Sequence, residues 1–216
     1  MLLIAIEGID RAGKTTQTEL LASWLRERGR RVATLSFPRY DSFFGRKIRA
    51  LLDGHGAVSA ATLDPESMSL WYALDRWDAF AHLDADADVV LLNRYTLSNA
   101  VYQSSRTTAG DADRLFAWII ELEHGRLALP VPALTVVLDV APALSQARAR
   151  AGDRAEQPDV YERSAALLDA ARQRYLTAAE QVDGVVIVGA GGHDGSGDVT
   201  AVQAAVRAVV SPLLDR

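Results

Sequence analysis

The chain has 216 residues and a mass of 23.4 kDa, with 49% apolar and 24% charged residues, proportions that disfavour disorder. Twenty-three Lys and Arg against 28 Asp and Glu leave a net charge of −5, which is not the footprint of a nucleic-acid binder. With no cysteine, disulfides, a thiol nucleophile and a thiolate zinc site are excluded, and the composition suits a reducing, cytoplasmic location.

Along the chain, short apolar runs alternate with longer segments of helical period. Leu2–Ile6 predicts a first strand. Thr16–Arg28 predicts a helix with Leu20, Leu21, Trp24 and Leu25 on one stripe and Gly29 as its stop. Val32–Ser36 predicts a strand, Pro65–Leu83 a helix, Val89–Leu92 a strand and Asp111–Arg126 a helix. Leu134–Val140 reads as a strand, Pro142–Arg150 and Asp159–Gln181 as helices, Val185–Val188 as a strand and Val199–Leu213 as the last helix. The strand runs have little polar alternation, as expected of strands buried on both faces. Strands separated by helices predict a parallel sheet with right-handed crossovers. The expectation is one α/β domain over residues 1–216, with five strands and helices on both faces. The apolar run before Glu7 has no basic leader and is not a signal peptide. No run of about 18 apolar residues offers a membrane span. His55, His82, His124 and His193 are scattered, so a histidine metal site is not expected.

Gly8-Ile9-Asp10-Arg11-Ala12-Gly13-Lys14-Thr15 matches G-x-x-x-x-G-K-S/T without a gap. It follows a predicted strand and precedes a predicted helix, as a phosphate-binding loop must. Glycines let consecutive N–H groups turn inward toward phosphate oxygens, and the helix adds its positive N-terminal dipole. Lys14 reaches the outer phosphates, and the Thr15 hydroxyl is a ligand for Mg²⁺. The loop, Gly8 to Thr15 with Thr16 behind it, is the expected ATP site. The guanine-reading N-K-x-D of a regulatory GTPase is missing from the sequence. No apolar strand ends in Asp-Glu as in a motor ATPase; Asp139 closes one strand and reads either as a distant metal-side acid or as a turn residue.

Beyond the loop, Phe37-Pro38-Arg39-Tyr40, Arg94-Tyr95 and Ser98-Asn99-Ala100-Val101-Tyr102-Gln103 follow in order. Together with Glu7-Gly8-Ile9-Asp10-Arg11-Ala12-Gly13-Lys14 they resemble the thymidylate kinases. The resemblance runs from the first strand to about Glu162. It implies a three-layer P-loop kinase fold with a short lid at about 147–158. It also implies Mg-dependent transfer of the ATP γ-phosphoryl group to dTMP, giving dTDP for dTTP synthesis, in a homodimer. Asp111–Arg126, with Leu115, Trp118, Ile119 and Leu122, is a candidate dimer face, although core burial explains the same stripe.

The resemblance assigns a second anion site to Arg94 at a strand's C-terminal edge, with Arg39 and Tyr40 next to it and Phe37 beside them. Tyr72 and Arg76, four residues apart on one helix face, match the aromatic and arginine that read thymine; the family more often has Phe at the first. Asn99 suits the imide edge of the base and Ser98 helps to orient the site. Tyr102 matches the tyrosine that crowds the ribose 2′ position. Asp10 matches the loop acid near the acceptor sugar or its Mg²⁺, and Glu162 the acid near the 3′-hydroxyl. Arg11 in the loop and Arg148 and Arg154 in the lid are the cations expected to join Lys14 and Arg94 in catalysis. The lid also has a role in excluding water.

One position departs from the family pattern. Asn93-Arg94-Tyr95 stands where Asp-Arg-Tyr is usual. The change removes a negative charge near the expected meeting of metal and phosphates and points to an active but slower enzyme. Other readings are a P-loop kinase for another acceptor and a nucleotide-binding protein without turnover. Gly189–Gly192 follows the last strand and, by fold analogy, frames the adenine.

Overall fold

The computed structural model describes residues 1–54, 56–83, 86–151, 159–191 and 198–214, with the side chains of 149–151 also outside the description. The order is β1 (Leu2–Glu7), α1 (Lys14–Glu27), β2 (Val32–Ser36), α2 (Phe43–Asp53), α3 (Pro65–Ala81), β3 (Val89–Asn93), α4 (Thr96–Ser104) and α5 (Ala109–Ile120). A π-helical turn (Glu121–Arg126) extends α5, followed by β4 (Leu134–Asp139), α6 (Pro142–Ala151), α7 (Ala165–Gln181), β5 (Val185–Gly189) and α8 (Val199–Leu214). The sheet has five parallel strands in the order β2-β3-β1-β4-β5.

Strand β1 is central because it is apolar on both faces. Ile4 and Ile6 pack with Leu21 and Leu25 of α1 and Val206 and Val210 of α8, while Leu3 and Ala5 face the opposite side with Val90 and Leu92. The registers Ile6 with Asn93 and Ile6 with Val136 bring the ends of β3 and β4 to the loop after β1. Chain order reverses direction about β1, so the carboxyl ends of β1, β3 and β4 open on a crevice.

The five expected strands are all present, and they form the expected parallel sheet between helices. Two helices were not expected. In α2 the Ser42 hydroxyl caps the start by accepting from the Gly45 N–H at 2.8 Å. Glycine is required there, since a Cβ at Gly45 would stand 1.7 Å from the Arg39 carbonyl oxygen. Helix α4 is buried along its whole length, polar residues included, so it has no solvent-facing side to set an amphipathic period.

Most helix ends fall within about two residues of expectation, and two differ more. The helix expected from Asp159 starts at Ala165, capped by Ser164. Asp159 instead closes a turn by accepting from the Tyr161 and Glu162 N–H groups. The helix expected to run through Arg126 changes to π geometry at Glu121. Arg154 and most of the expected lid lie outside the described residues, as do Gly192 and His193. Among the described residues no helix is long and apolar enough to cross a membrane.

Candidate active site

The loop after β1 curls through left-handed backbone at Gly8 (φ 132°), Arg11 (φ 58°) and Gly13 (φ 95°). At Gly8 a side chain is impossible for a second reason: a Cβ would sit 2.6 Å from the Leu138 carbonyl oxygen. Helix α1 begins at Lys14, so its free N–H groups face the loop's hollow. Lys14 Nζ donates to the Ile9 carbonyl at 2.7 Å, which folds the ammonium back over the loop. Burial, helped by Arg94, lowers the Lys14 pKa to about 7.

A donor cleft of about 600 Å³ lies beside this loop, lined by Arg11, Ala12, Gly13, Thr16, Gln17, Arg148, Ala190, Val199 and Val202. Arg148 bridges its two walls, donating to the Arg11 carbonyl at 3.1 Å and the Ala190 carbonyl at 3.2 Å. Ala190 follows β5, so the segment after the last strand does border this cleft.

A second cleft, with about 510 Å³ of free space, lies on the other side of the loop. Asp10, Phe37, Tyr40, Tyr72, Arg76, Arg94, Ser98, Asn99 and Tyr102 line it together with Pro38, Leu52, Gln103, Asp159 and Tyr161. Nine of the eleven residues expected at the acceptor are therefore gathered here. The other two are elsewhere. Arg39 turns to α3, where its Nη2 reaches Asp78 at 2.5 Å and its backbone N–H donates to Asp75. Glu162 faces Arg11, with 3.6 Å between Oε1 and Nε.

Arg94 sits where β3 passes into α4, with φ 64°, a conformation costly for a residue with a Cβ. Its guanidinium ion-pairs with Asp10 and donates to the Ser98 hydroxyl at 3.1 Å. Burial opposes its charge, but Asp10 overcomes this and holds the guanidinium ionised. The Tyr102 hydroxyl donates to the other Asp10 oxygen at 2.7 Å. Burial raises the Asp10 pKa, but Arg94, Lys14 and Tyr102 outweigh it, so Asp10 is held below its usual range.

Behind Arg94 lies Glu7, fully buried at the end of β1. It accepts from the N–H groups of Tyr95 (2.8 Å) and Ser98 (3.1 Å), and from the hydroxyls of Ser98 and Tyr175. One carboxylate thus caps α4 and fixes the Ser98 hydroxyl against Arg94. Burial raises its pKa despite these bonds. A charged residue closing an apolar strand is a signal that points to it in sequence.

At the far end, Arg76 and Asn99 are buried and share Glu123 from the π-helical turn. Nothing in the sequence marks Glu123, since it meets Arg76 across 47 positions. Asp159 lines the middle of the cleft, and burial next to Asp10 and Glu162 pushes its pKa up to about 6. Asp139 is occupied by Arg172 of α7 through two bonds of 2.6 and 2.9 Å.

Oxygen ligands suit Mg²⁺. The Thr15 side chain is exposed at the start of α1, and Asn93 Nδ2 donates to its hydroxyl at 3.1 Å. Asn93 Oδ1 is buried without a partner, an acceptor beside the Thr15 hydroxyl that would hold a metal ion. Both Asp10 oxygens are already held, by Arg94 and Tyr102. The donor set thus fits a magnesium ion held by Thr15 and phosphate oxygens, with Asp10 serving the acceptor side.

The lowered Lys14 pKa predicts proton uptake. Bound phosphates raise it again, so near pH 8 ATP binding takes up to about one proton per site, and near pH 6, where Lys14 is already charged, none at this group. Titration calorimetry of ATP in Tris and in HEPES reads this as a buffer-dependent heat at the higher pH; equal heats there contradict it.

A sequence model of the thymidylate kinase family matches residues 6–200. A thymidylate kinase of Mycobacterium tuberculosis is 38% identical over 188 residues, covering 83% of this chain and 86% of that one. A probable thymidylate kinase of Thermococcus gammatolerans is 32% identical over 196 residues, covering 88% of each. A solved thymidylate kinase of Candida albicans superposes with a TM-score of 0.74 over 98% of this chain and 91% of its own; at 20% identity this supports the fold. With a P-loop, a second cleft holding a paired arginine, and relatives of this kind along most of its length, the chain belongs to the thymidylate kinase family and is an ATP:dTMP phosphotransferase.

Proposed function

We propose that the two clefts divide the reaction dTMP + ATP → dTDP + ADP between them, with the roles that follow. The observation that carries this reading is Arg94, a half-buried cation held between the loop and the second cleft by Asp10, Gly8 and Ser98. A monophosphate in that cleft meets a positioned guanidinium facing the P-loop, and two anionic reactants need such a cation between them. Arg94 binds the dTMP phosphate. Lys14, Arg11 and Arg148 stand on the ATP side, where charge on the transferred group develops. Mg²⁺, held by Thr15, would neutralise charge on the outer phosphates.

Tyr72 stacks on the base, Arg76 donates to a base carbonyl, and Asn99 Oδ1, buried without a partner in the protein, accepts from its imide N–H. Tyr102, fixed by Asp10 and stacked at 6.1 Å on Tyr161, limits the space at the sugar's 2′ position. Arg39 acts by bracing the segment that carries Phe37 and Tyr40 against α3. Glu162 orders Arg11 until substrates arrive.

The reading includes a cytoplasmic homodimer. On α5, Leu115 and Ile119 are buried, which leaves Trp118 of the expected face exposed. Leu70 and Trp77 form a second exposed apolar stripe on α3, so these two helices supply the dimer surface.

ADP release with Mg-ATP, tested with dTMP, dUMP, dCMP, dGMP, UMP and thymidine in turn, is expected with dTMP and weakly with dUMP. Equal release without acceptor means an ATPase and contradicts the reading. Asn93→Asp restores the carboxylate usual in the family, so it is expected to lower the Mg²⁺ concentration for half-maximal rate and to raise kcat. Unchanged values of both remove Asn93 from the metal side.

A further inference from the structure

We infer that Glu123 is the positioning residue that sets base specificity, by fixing which face of Asn99 and which edge of Arg76 the cleft presents; this rests on the roles proposed above for those two side chains. Glu123 is 0% exposed and does not line the cleft. The π-helical turn carries it into the core, the kind of local rewinding that re-aims a side chain.

The argument is a count of hydrogens. The Asn99 amide nitrogen has two. One goes to the Ser69 carbonyl at 3.0 Å and the other to Glu123 Oε1 at 2.7 Å. Turning the amide over would set its oxygen against a carbonyl and a carboxylate, two acceptors. Asn99 is therefore locked with Oδ1 as its unspent group, and that oxygen is buried with no partner. Glu123 also takes Nε and Nη2 of Arg76, at 2.5 and 2.6 Å, which leaves Nη1 outside the pair as the donor for a ligand.

The base end of the cleft thus offers one acceptor beside one donor. A ring N–H next to a ring carbonyl complements both, and thymine and uracil carry that pair. Cytosine offers a bare ring nitrogen beside an amino group, so like meets like at both positions. A site built around buried hydrogen-bonding groups rejects a mismatched analogue strongly, because its own groups are left unpaired. The neutralised arginine also keeps this end free of net charge, which suits an uncharged base.

The test is Glu123→Gln. Glu123 Oε1 accepts from Arg76 Nη2 and from Asn99, and Oε2 accepts from Arg76 Nε. A carboxamide has one acceptor oxygen and an amino group, so it cannot keep all three bonds: with its oxygen at the Oε1 place it sets N–H against Arg76 Nε, and with its amino group there it sets N–H against Asn99, which is then freed to turn. The KM for dTMP is expected to rise about ten- to a hundredfold, the size of an unsatisfied buried group, with the KM for ATP unchanged. The ratio of kcat/KM for dTMP over dCMP is expected to fall by a similar factor. A merely structural role would lower the active fraction for both substrates and leave that ratio in place. Glu123→Asp keeps the charge but is too short to span both partners. It is expected to narrow the ratio too, and it serves where the glutamine variant does not fold. A folded variant of either kind that keeps the wild-type ratio overturns the inference about Glu123. A wild-type enzyme that accepts dTMP and dCMP equally overturns the base-reading roles of Arg76 and Asn99 themselves.

Discussion

A guanidinium cannot be buried without an anion beside it, and this enzyme buries Arg76 fully and Arg94 partly in one cleft. Removing the carboxylate from a fully buried pair such as Arg76 and Glu123 leaves an uncompensated charge and costs about 3–5 kcal/mol. Arg76 and Arg94 are therefore placed by their partners as much as by their own backbones. Glu123 holds the first, and Asp10 holds the second with help from Ser98. Several features of the fold serve these pairings. The π-helical turn delivers Glu123, the strained φ of Arg94 aims its side chain, and the adjacency of β1 and β3 brings Asp10 and Arg94 together.

Preorganisation has a chemical consequence. Phosphoryl transfer needs little covalent help from the protein and much electrostatic positioning. A cation already anchored reorganises little when the substrate phosphate arrives, and a low-dielectric cleft strengthens its effect. Glu7 extends this logic one layer back. It caps the buried helix α4 and, through Ser98, fixes the arginine proposed to meet the acceptor. The same short helix carries Ser98, Asn99 and Tyr102, the residues proposed for the phosphate, base and sugar.

The sheet was legible in the sequence because its strands are apolar on both faces and bounded by turn residues. The P-loop was legible because its glycines are required, Gly8 by the contact a Cβ would make and Gly13 by its left-handed backbone. Helix α4 escaped periodicity because no face of it meets water, although the residues it carries were found by resemblance. Glu123 and the turning away of Arg39 toward Asp75 and Asp78 were not legible for a common reason. Each depends on a charge partner brought close by tertiary packing, and sequence pattern records only local neighbours. Asn93 was visible as a departure, and the structure adds its bond to Thr15 and its buried, unpaired oxygen.

The central claim is that Arg94, held in advance by Asp10, is what the acceptor phosphate binds. Calorimetric titration of dTMP and of thymidine, into the wild-type enzyme and into Arg94→Ala, tests it most directly. The account predicts that the phosphate strengthens binding of dTMP over thymidine by about a hundredfold in the wild type, as for a charge-assisted pair in a closed cleft. It predicts that the gap nearly closes in the variant while thymidine binding changes little. A gap of the same size in both proteins would mean that the phosphate is held elsewhere, and would contradict the account.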